Sequence, residues 1–401
     1  MSLNRRTFIT QSAFALAGAA LLRHNLVRVS AAPQKIIIIG AGMAGLSAGY
    51  ELTQLGHDVT ILEARARPGG RVYTLREPFT DGLYAEAGAA RIPDTHDLTL
   101  KYVKLFALTL EPMYPSRPSA LVANGPGMKR VPIDDFTKAM GNILGPELGT
   151  PAARWSKIKG GNDLLPKAFA SRLASRIQYE SPVVRIDQDD KSATVTFVHK
   201  GTPQTIAGDR ILVTVPFSLL RDIKLPEKFP EKKIKAIKQQ KYDAVSRVYL
   251  QTKKRSWEER GLNGFCLTDE PVEIWHPTWS QPGPRGIVMT YARPGAAETI
   301  TAMKEPERIS SAIKQVDALL PGVRENFETG TSKCWMEDEW SRGAWAFAGI
   351  NGLAMFGIPE GRIHFAGEHL SFLPSWMQGA LASSAAAVKQ IHEASLVAVA
   401  A

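Results

Sequence analysis

The sequence predicts an α/β fold, an α+β composite in which a mostly parallel sheet is joined by a smaller mixed domain. Three observations predict it. Lys35–Ile39 is a short, β-branched and wholly apolar run, typical of a strand buried on both faces of a parallel sheet. Residues 44–55 then show the apolar spacing of a helix, and Asp58–Leu62 is the next strand. Together these segments form a βαβ unit.

A glycine turn between the first strand and the helix predicts a dinucleotide site. Gly40, Gly42 and Gly45 form a GxGxxG pattern at the required place. The first glycine permits the tight turn, the second lets the backbone approach a pyrophosphate, and the third lets helix and strand pack closely. The helix N-terminus adds free amides and partial positive charge. Glu63, at the end of the second strand, is placed to accept hydrogen bonds from a ribose diol, which completes a Rossmann-type unit.

The remaining elements predict an interleaved architecture. Further strands are predicted at 183–186, 194–198, 210–215, 247–250 and 362–365, and helices at 310–320 and 374–394. We expect the dinucleotide-binding domain to draw on residues 33–75, 160–220 and 355–395. The smaller domain, which would hold the substrate, draws on residues 76–159 and 221–354.

Composition excludes several classes of protein. The chain has 401 residues, of which 44% are hydrophobic and 22% charged, so a sizeable core is available and disorder is not expected. The formal net charge is +10, but the basic residues are dispersed and form no nucleic-acid-binding motif, so no nucleic-acid partner is predicted. Cys266 and Cys334 have no metal-ligand spacing, and neither a metal site nor a disulfide framework is predicted.

The N-terminus has the order of an export signal. Arg5 and Arg6 precede the apolar run 12–22, small residues follow up to Ala31, and residues 1–31 contain no acid. This order resembles a twin-arginine signal, which directs folded proteins to the twin-arginine export machinery. The apolar run is too short for a permanent membrane anchor. We therefore expect cleavage near Ala31 and a periplasmic or secreted protein that acquires its cofactor before export.

Two later motifs extend the resemblance to a known family. A stretch from Glu63 to Arg71 contains the pair Gly69-Gly70, and a late motif runs from His364 to Ala380. With the Rossmann glycines, these motifs resemble those of the flavin-dependent amine oxidase superfamily, which includes monoamine oxidases and L-amino-acid oxidases. The resemblance implies FAD as the cofactor. The residues that pattern and resemblance together assign to cofactor binding are Gly40, Ala41, Gly42, Ala44, Gly45, Glu63, Ala64, Arg65, Gly70, Arg71, Ala89, Ala90, Arg91, Val183, Gly367, Glu368, Trp376, Met377 and Ala380.

The resemblance also implies a substrate site. The segment from Gly88 to Pro93 is similar to a Gly-x-x-Arg-Φ-Pro motif (Φ, apolar) of L-amino-acid oxidases, in which the arginine holds the substrate carboxylate. Arg91 is the matching residue, and its pairing with a flavin phosphate or a nearby acid is the alternative. Trp345 and Trp376 match positions where the family has aromatic walls beside the flavin. The alternative is that they are buried structural residues. We assign both tryptophans to substrate binding and catalysis.

One position departs from the family pattern. Much of the family has a lysine, bridged by water to flavin N5, at the position that Arg247 occupies here. Arginine keeps the positive charge but is bulkier and cannot act as a base. Arg247 is therefore a candidate catalytic residue, and its presence leaves the choice between O₂ and another electron acceptor open.

The resemblance implies FAD-dependent oxidation of the C–N bond of an L-amino acid, with O₂ reduced to hydrogen peroxide. The imino acid formed would hydrolyse to a keto acid and ammonia. The alternatives are oxidation of an amine or polyamine without carboxylate recognition, an amino-acid 2-monooxygenase, an oxygen-independent dehydrogenase and a non-catalytic flavin-binding subunit. Covalent flavin attachment and the oligomeric state, with a homodimer as one possibility, stay open.

Overall fold

The computed structural model of the protein describes residues 28–124, 127–268, 273–346 and 354–399. Of the predicted export signal, residues 1–27 lie outside the described residues. Residues 28–31 form strand β1, which pairs antiparallel with the C-terminal strand β24, Leu396–Val399.

Strands are numbered in chain order. They are β1 Arg28–Ala31, β2 Lys35–Ile39, β3 Asp58–Leu62, β4 Thr74–Leu75, β5 Ala85–Glu86, β6 Ile92–Pro93, β7 Leu110–Pro112, β8 Ser119–Asn124, β9 Gly127–Val131, β10 Trp155–Ile158, β11 Ile177–Gln178, β12 Val183–Gln188, β13 Ala193–His199, β14 Thr202–Gly208, β15 Arg210–Val213, β16 Tyr242–Asp243, β17 Ser246–Thr252, β18 Leu262–Leu267, β19 Glu273–Trp275, β20 Gly286–Ala292, β21 Phe327–Cys334, β22 Trp345–Ala346, β23 Ile363–Phe365 and β24 Leu396–Val399.

Helices are numbered in the same way. They are α1 Met43–Gln54, α2 Asp97–Leu105, α3 Ile133–Leu144, α4 Leu164–Arg172, α5 Phe217–Leu220, α6 Glu231–Gln239, α7 Ala296–Ala302, α8 Glu305–Leu319, α9 Val323–Asn326 and α10 Met377–Glu393. None of the helices in the described ranges is long and apolar enough to cross a membrane.

A five-stranded parallel sheet forms the first layer, in the order β11-β3-β2-β15-β23. Its central strand β2 is buried on both faces, because Ile36 and Ile38 pack into one core cluster and Ile37 and Ile39 into another. Burial of each of these side chains stabilises the fold by about 1.5–3 kcal/mol. The wholly apolar composition of the strand is explained by this position.

Helices α1 and α10 cover one face of the parallel sheet and pack against each other. Their contact uses small residues, and the Ser47 hydroxyl donates a hydrogen bond to the Ser384 hydroxyl at 2.9 Å. The close approach brings the N-terminus of α10 beside that of α1, at the carboxyl end of the sheet. Both helix starts therefore lie at the edge where ligands bind in open α/β sheets.

A second, seven-stranded sheet has the order β21-β17-β20-β19-β18-β8-β9 and is antiparallel except for the β18–β8 pair. Along β17, Val248 and Leu250 face a core cluster that also contains residues of α8. Tyr249 faces the opposite cluster, and by strand alternation Arg247 shares its face. This second face of the sheet lies toward the parallel sheet and forms one wall of the cavity described below.

The predicted α/β fold class is confirmed. Strands occur at every segment where the sequence predicts one, and the helices expected at 44–55, 310–320 and 374–394 are α1, α8 and α10. The ends differ by a few residues because caps and turns, which carry weak sequence signals, decide them. The domain division stays a prediction, although the parallel sheet does take strands from each of the three segments assigned to the dinucleotide-binding domain.

Candidate active site

A cavity of about 500 Å³ lies between the carboxyl end of the parallel sheet and the seven-stranded sheet. This volume is in the range of ligand sites. The sequence-predicted residues that line it are Gly40, Gly42, Ala44, Glu63, Ala64, Arg65, Gly70, Arg71, Ala89, Ala90, Arg91, Val183, Arg247, Trp345, Gly367, Glu368, Trp376, Met377 and Ala380. Two predicted residues, Ala41 and Gly45, do not line the cavity. The Ala41 N–H donates a hydrogen bond to Glu63, and Gly45 lets helix α1 pack closely against the turn.

The glycine turn has the geometry that its three positions require. Gly40 has a φ of 103°, in the region that favours glycine. A Cβ on Gly45 would lie 2.0 Å from the Gly40 carbonyl oxygen, so only glycine lets α1 approach the turn. A Cβ on Gly42 would meet no protein atom within 4 Å. Because Gly42 lines the cavity, its backbone borders open space in which a phosphate group can approach the N-terminus of α1.

Glu63 is held beside this turn. One carboxylate oxygen accepts a hydrogen bond from the Ala41 N–H at 2.7 Å, and the other accepts one from the Arg65 N–H at 2.8 Å. Burial raises the pKa of the Glu63 carboxyl, although these two donors and the Arg65 charge oppose the rise. Each oxygen retains a second lone pair, which suits the predicted contact with a ribose diol.

The late motif meets the Gly-Gly-Arg loop through an ion pair. Arg71 donates from Nη1 to Glu368 at 2.9 Å and to the Ala344 carbonyl oxygen at 2.9 Å. Glu368 also accepts from the backbone N–H groups of Ala346, at 3.1 Å, and Ser375, at 2.9 Å. Arg71 therefore has a carboxylate partner in this structure, and the cofactor contact that the resemblance implies for it stays a prediction.

Helix α10 begins at the cavity wall. Trp376 is its N-cap residue, and Met377 and Ala380 on its first turn also line the cavity. The Trp376 ring makes an edge contact with His96, with ring centroids 4.9 Å apart, and a tilted contact with Trp155 at 6.0 Å. Burial lowers the pKa of His96 to about 4, so its ring is neutral at pH 7. The orientation of Trp376 is thus fixed by uncharged rings.

Arg91, the predicted carboxylate ligand, is buried in the cavity wall and already has an acidic neighbour. Its Nη2 atom contacts Glu273 Oε2 at 2.5 Å, and its Nε atom donates to the Tyr114 hydroxyl oxygen at 3.2 Å. The guanidinium lies over the Trp275 ring, 4.3 Å from the centroid. The pairing with a nearby acid that the sequence left open is therefore present, and Arg91 also lines the cavity.

Arg247 is held by the main chain. Its Nη1 atom donates to the carbonyl oxygens of Glu86, at 2.7 Å, and Gly88, at 2.8 Å. Its guanidinium lies 4.5 Å from the centroid of the Tyr291 ring. Its buried Nε atom has no hydrogen-bond partner among the described residues. Within the described ranges, Arg247 therefore lines the cavity without a carboxylate partner.

Trp345 lines the cavity from strand β22. Its indole Nε1 donates to Asp243 Oδ2 at 2.7 Å. This bond fixes the ring at one edge, while Trp376 lines the cavity from the start of α10. The structure thus brings both predicted aromatic residues to the cavity.

Sequence reasoning missed four residues at the same end of the cavity: Glu273, Trp275, Tyr291 and Arg293. Strand register explains how they come together, because Tyr291 is paired with Arg247 on one side and with Glu273 on the other. Arg293 lies two residues after Tyr291 and donates to Glu273 Oε1 at 2.9 Å. The only available signal was the pattern Tyr-x-Arg at the end of an apolar run, and it has no specific meaning without the register.

Comparisons with known proteins give the family. The family model described as flavin containing amine oxidoreductase matches residues 43–131 and 127–392. A protein of Bacillus subtilis strain 168 named "Putative L-amino-acid oxidase YobN" is 30% identical, covering 90% of this chain and 95% of its own. An L-amino-acid oxidase of Sistrurus catenatus edwardsii is 24% identical, covering 92% of this chain and 89% of its own.

Solved structures share the fold. Cyclohexylamine oxidase from Brevibacterium oxydans superimposes with a TM-score of 0.77 at 18% identity, covering 90% of this chain and 99% of its own. A putrescine oxidase bound to putrescine gives a TM-score of 0.76 at 18% identity, with 90% and 99% coverage. The glycine turn, Glu63 and the Arg71–Glu368 pair surround a cavity in the fold of these oxidases, and the family model spans most of the chain. The chain belongs to the flavin-containing amine oxidoreductase family.

Proposed function

We propose that the protein binds FAD and oxidises the C–N bond of an L-amino acid, giving an imino acid that hydrolyses to a keto acid and ammonia while O₂ is reduced to hydrogen peroxide. The observation that carries this proposal is the position of Arg91, whose buried guanidinium lies in the cavity wall of this chain, a flavin-containing amine oxidoreductase. The names of the sequence relatives support it.

The residues at one end of the cavity fit a flavin dinucleotide. The open space at Gly42 and the helix start beside it would receive the pyrophosphate, and Glu63 would receive the ribose. Val183 lies where the resemblance implies a backbone contact to adenine, and Met377 and Ala380 where it implies contact with the isoalloxazine. When bound, the flavin supplies the two-electron acceptor for the carbon that bears the amine.

The protein's own residues position the substrate. A guanidinium can bind a carboxylate bidentately. This contact compensates the carboxylate's negative charge and fixes the substrate's orientation. The rings of Trp345 and Trp376 line the cavity, and such aromatic walls exclude water and favour the neutral amine by desolvating its ammonium form. Holding the reacting C–H bond in line with its acceptor accounts for a large part of the rate enhancement, and no catalytic base is required.

Oxidation of an amine without a carboxylate is the second candidate function. The Arg91–Glu273 ion pair favours it, because Arg91 already has a carboxylate partner. The surrounding charge argues against a polyamine substrate, since Arg247 and Arg293 also line the cavity and would repel a second ammonium group.

Replacement of Arg91 tests the carboxylate contact. For the most active amino acid of a panel, Arg91→Met should lower kcat/KM by about 100-fold or more, the loss expected for a charge-assisted contact. The corresponding decarboxylated amine should change by less than about threefold. Arg154→Met is the matched control, because it removes an exposed arginine paired with Asp94. Equal losses for amino acid and amine would contradict the role assigned to Arg91.

We also propose export by the twin-arginine route, supported by the order of Arg5, Arg6 and the apolar run. Cleavage at Ala31 would remove strand β1 and leave β24 without that partner. The test is the N-terminal sequence and cellular location of the protein expressed from its full chain. The double replacement of Arg5 and Arg6 by lysine should retain the protein in the cytoplasm, and continued export would contradict the proposal.

A further inference from the structure

Of the residues that the structure describes, six arginines line the cavity, and they differ in how their charge is compensated. Three are each paired with a different carboxylate: Arg65 with Asp338, which Lys333 also contacts, Arg71 with Glu368 and Arg342 with Asp222. The other three lie at the aromatic end, on or beside the seven-stranded sheet: Arg91, Arg247 and Arg293. Among the described residues, these three are in ion-pair contact with one carboxylate between them, that of Glu273.

Glu273 is shared by two of these arginines. Oε2 contacts Arg91 at 2.5 Å and Oε1 contacts Arg293 at 2.9 Å. Trp275 donates its indole N–H to Oε2 at 2.7 Å. Burial alone would raise the pKa of the Glu273 carboxyl, but the two guanidinium groups lower it below its ordinary value. The cluster of Arg91, Glu273 and Arg293 therefore carries one net positive charge.

Arg247 adds a second positive charge beside this cluster. Its guanidinium and that of Arg293 contact the same ring, at 4.5 Å and 4.8 Å from the Tyr291 centroid. Arg247 donates only to carbonyl oxygens, and its buried Nε is left without a partner in the described part of the chain. An unpartnered donor on a buried charged group is costly, and an anion bound beside the guanidinium offsets that cost.

We propose that the substrate is a dicarboxylic L-amino acid, whose two carboxylates match the two uncompensated positive charges at this end of the cavity. This inference rests on the proposed oxidation of amino acids. With a neutral amine, such a substrate has a charge of −2, which equals the excess carried by Arg91, Glu273, Arg293 and Arg247. A monocarboxylic amino acid would leave one buried guanidinium uncompensated.

The Arg293→Gln substitution tests whether the cavity binds a second carboxylate of the substrate. It leaves Glu273 paired with Arg91 and reduces the excess charge from two to one. The variant should therefore lose preference for a dianion but keep affinity for a monoanion. Arg293→Lys keeps the charge and should keep the preference. Arg324→Gln is the control, because it removes an exposed arginine that lies on helix α9.

Binding of unreactive acids to the holoenzyme gives a readout independent of turnover. We would titrate glutarate and its monocarboxylate counterpart pentanoate by isothermal calorimetry. Glutarate should bind the wild type at least about tenfold more tightly than pentanoate, and Arg293→Gln should remove that difference. Equal affinities of the wild type for the two acids would overturn the proposal even if Arg293→Gln fails to fold.

Anaerobic reduction of the bound flavin then separates this inference from the proposed function. L-Glutamate or L-aspartate should reduce it faster than the matched amides L-glutamine and L-asparagine, and Arg293→Gln should remove that difference. Faster reduction of the wild type by neutral L-amino acids would overturn the dicarboxylate inference and leave amino-acid oxidation standing. Reduction by amines alone would overturn both.

Discussion

Two alanine substitutions in the glycine turn should separate cofactor binding from folding. Gly42→Ala adds a methyl group that meets no protein atom within 4 Å and points into space at the cavity wall. Gly42 has a φ of −76°, which alanine adopts without strain. Alanine also restricts the unfolded chain, so the unfolding free energy of the apoprotein should stay unchanged or rise by up to about 1 kcal/mol.

The same methyl group should weaken cofactor binding. It occupies the place where the backbone approaches the pyrophosphate, and displacing the phosphate loses one or two charge-assisted hydrogen bonds to backbone amides. At about 1.5–3 kcal/mol for each bond, the Kd for FAD should rise by about tenfold or more. Fluorescence titration of the apoprotein with FAD measures this Kd.

Gly45→Ala should have the opposite pattern. Its methyl group would lie 2.0 Å from the Gly40 carbonyl oxygen, a backbone atom that no rotamer change can move. Helix α1 must shift, and overpacking of this kind costs about 1–3 kcal/mol in unfolding free energy. Urea denaturation of the apoproteins measures the cost. Unchanged FAD affinity in Gly42→Ala, or unchanged stability in Gly45→Ala, would refute the roles assigned to these glycines.

Three further predictions concern single side chains. Glu368→Gln should raise the Kd for FAD by about tenfold because it weakens the charge-assisted hydrogen bond that holds Arg71 in place at the cavity, whereas Glu393→Gln at the exposed end of α10 should leave it unchanged. Arg247→Lys should speed reoxidation of the reduced flavin by O₂ by about tenfold or more in stopped-flow experiments, and an unchanged rate would contradict the role that the resemblance gives this position. Burial raises the pKa of Glu86 to about 7 from 4.5, so its protonated form stabilises the fold below pH 4.5 and this contribution is lost as the pH rises to 7. Relative to wild type, Glu86→Gln should therefore gain about 3 kcal/mol of unfolding free energy between about pH 4 and pH 8, and a constant difference across this range would count against the shift.

The cofactor end of the cavity could be predicted because its signals are local. Gly40, Gly42 and Gly45 lie within one turn between a strand and a helix, and the end of the next strand supplies Glu63. In a parallel sheet these two strand ends must be neighbours, so the spacing in sequence fixes the spacing in space. The late motif could be predicted for a similar reason, because Glu368 and Trp376 both lie in the short segment that leads into a single helix.

The charge distribution at the substrate end could not be predicted in this way. Arg91 was identified from its motif, but its partner Glu273 is 182 residues away in the chain. Tyr291 and Arg293 reach the cavity only through the register of β17, β19 and β20, which no local pattern specifies. The sequence therefore identified the individual arginines 91 and 247 without showing that one carboxylate serves two of the three guanidinium groups.

The most direct test of the proposed activity is anaerobic mixing of the holoenzyme with L-amino acids and with the corresponding decarboxylated amines, followed by admission of air. The loss of flavin absorbance at about 450 nm reports reduction, and a peroxide assay reports reoxidation. The proposal predicts bleaching by one or more L-amino acids, no comparable bleaching by the matched amines, and hydrogen peroxide on aeration. Bleaching by amines alone, or by no compound of either class, would contradict it.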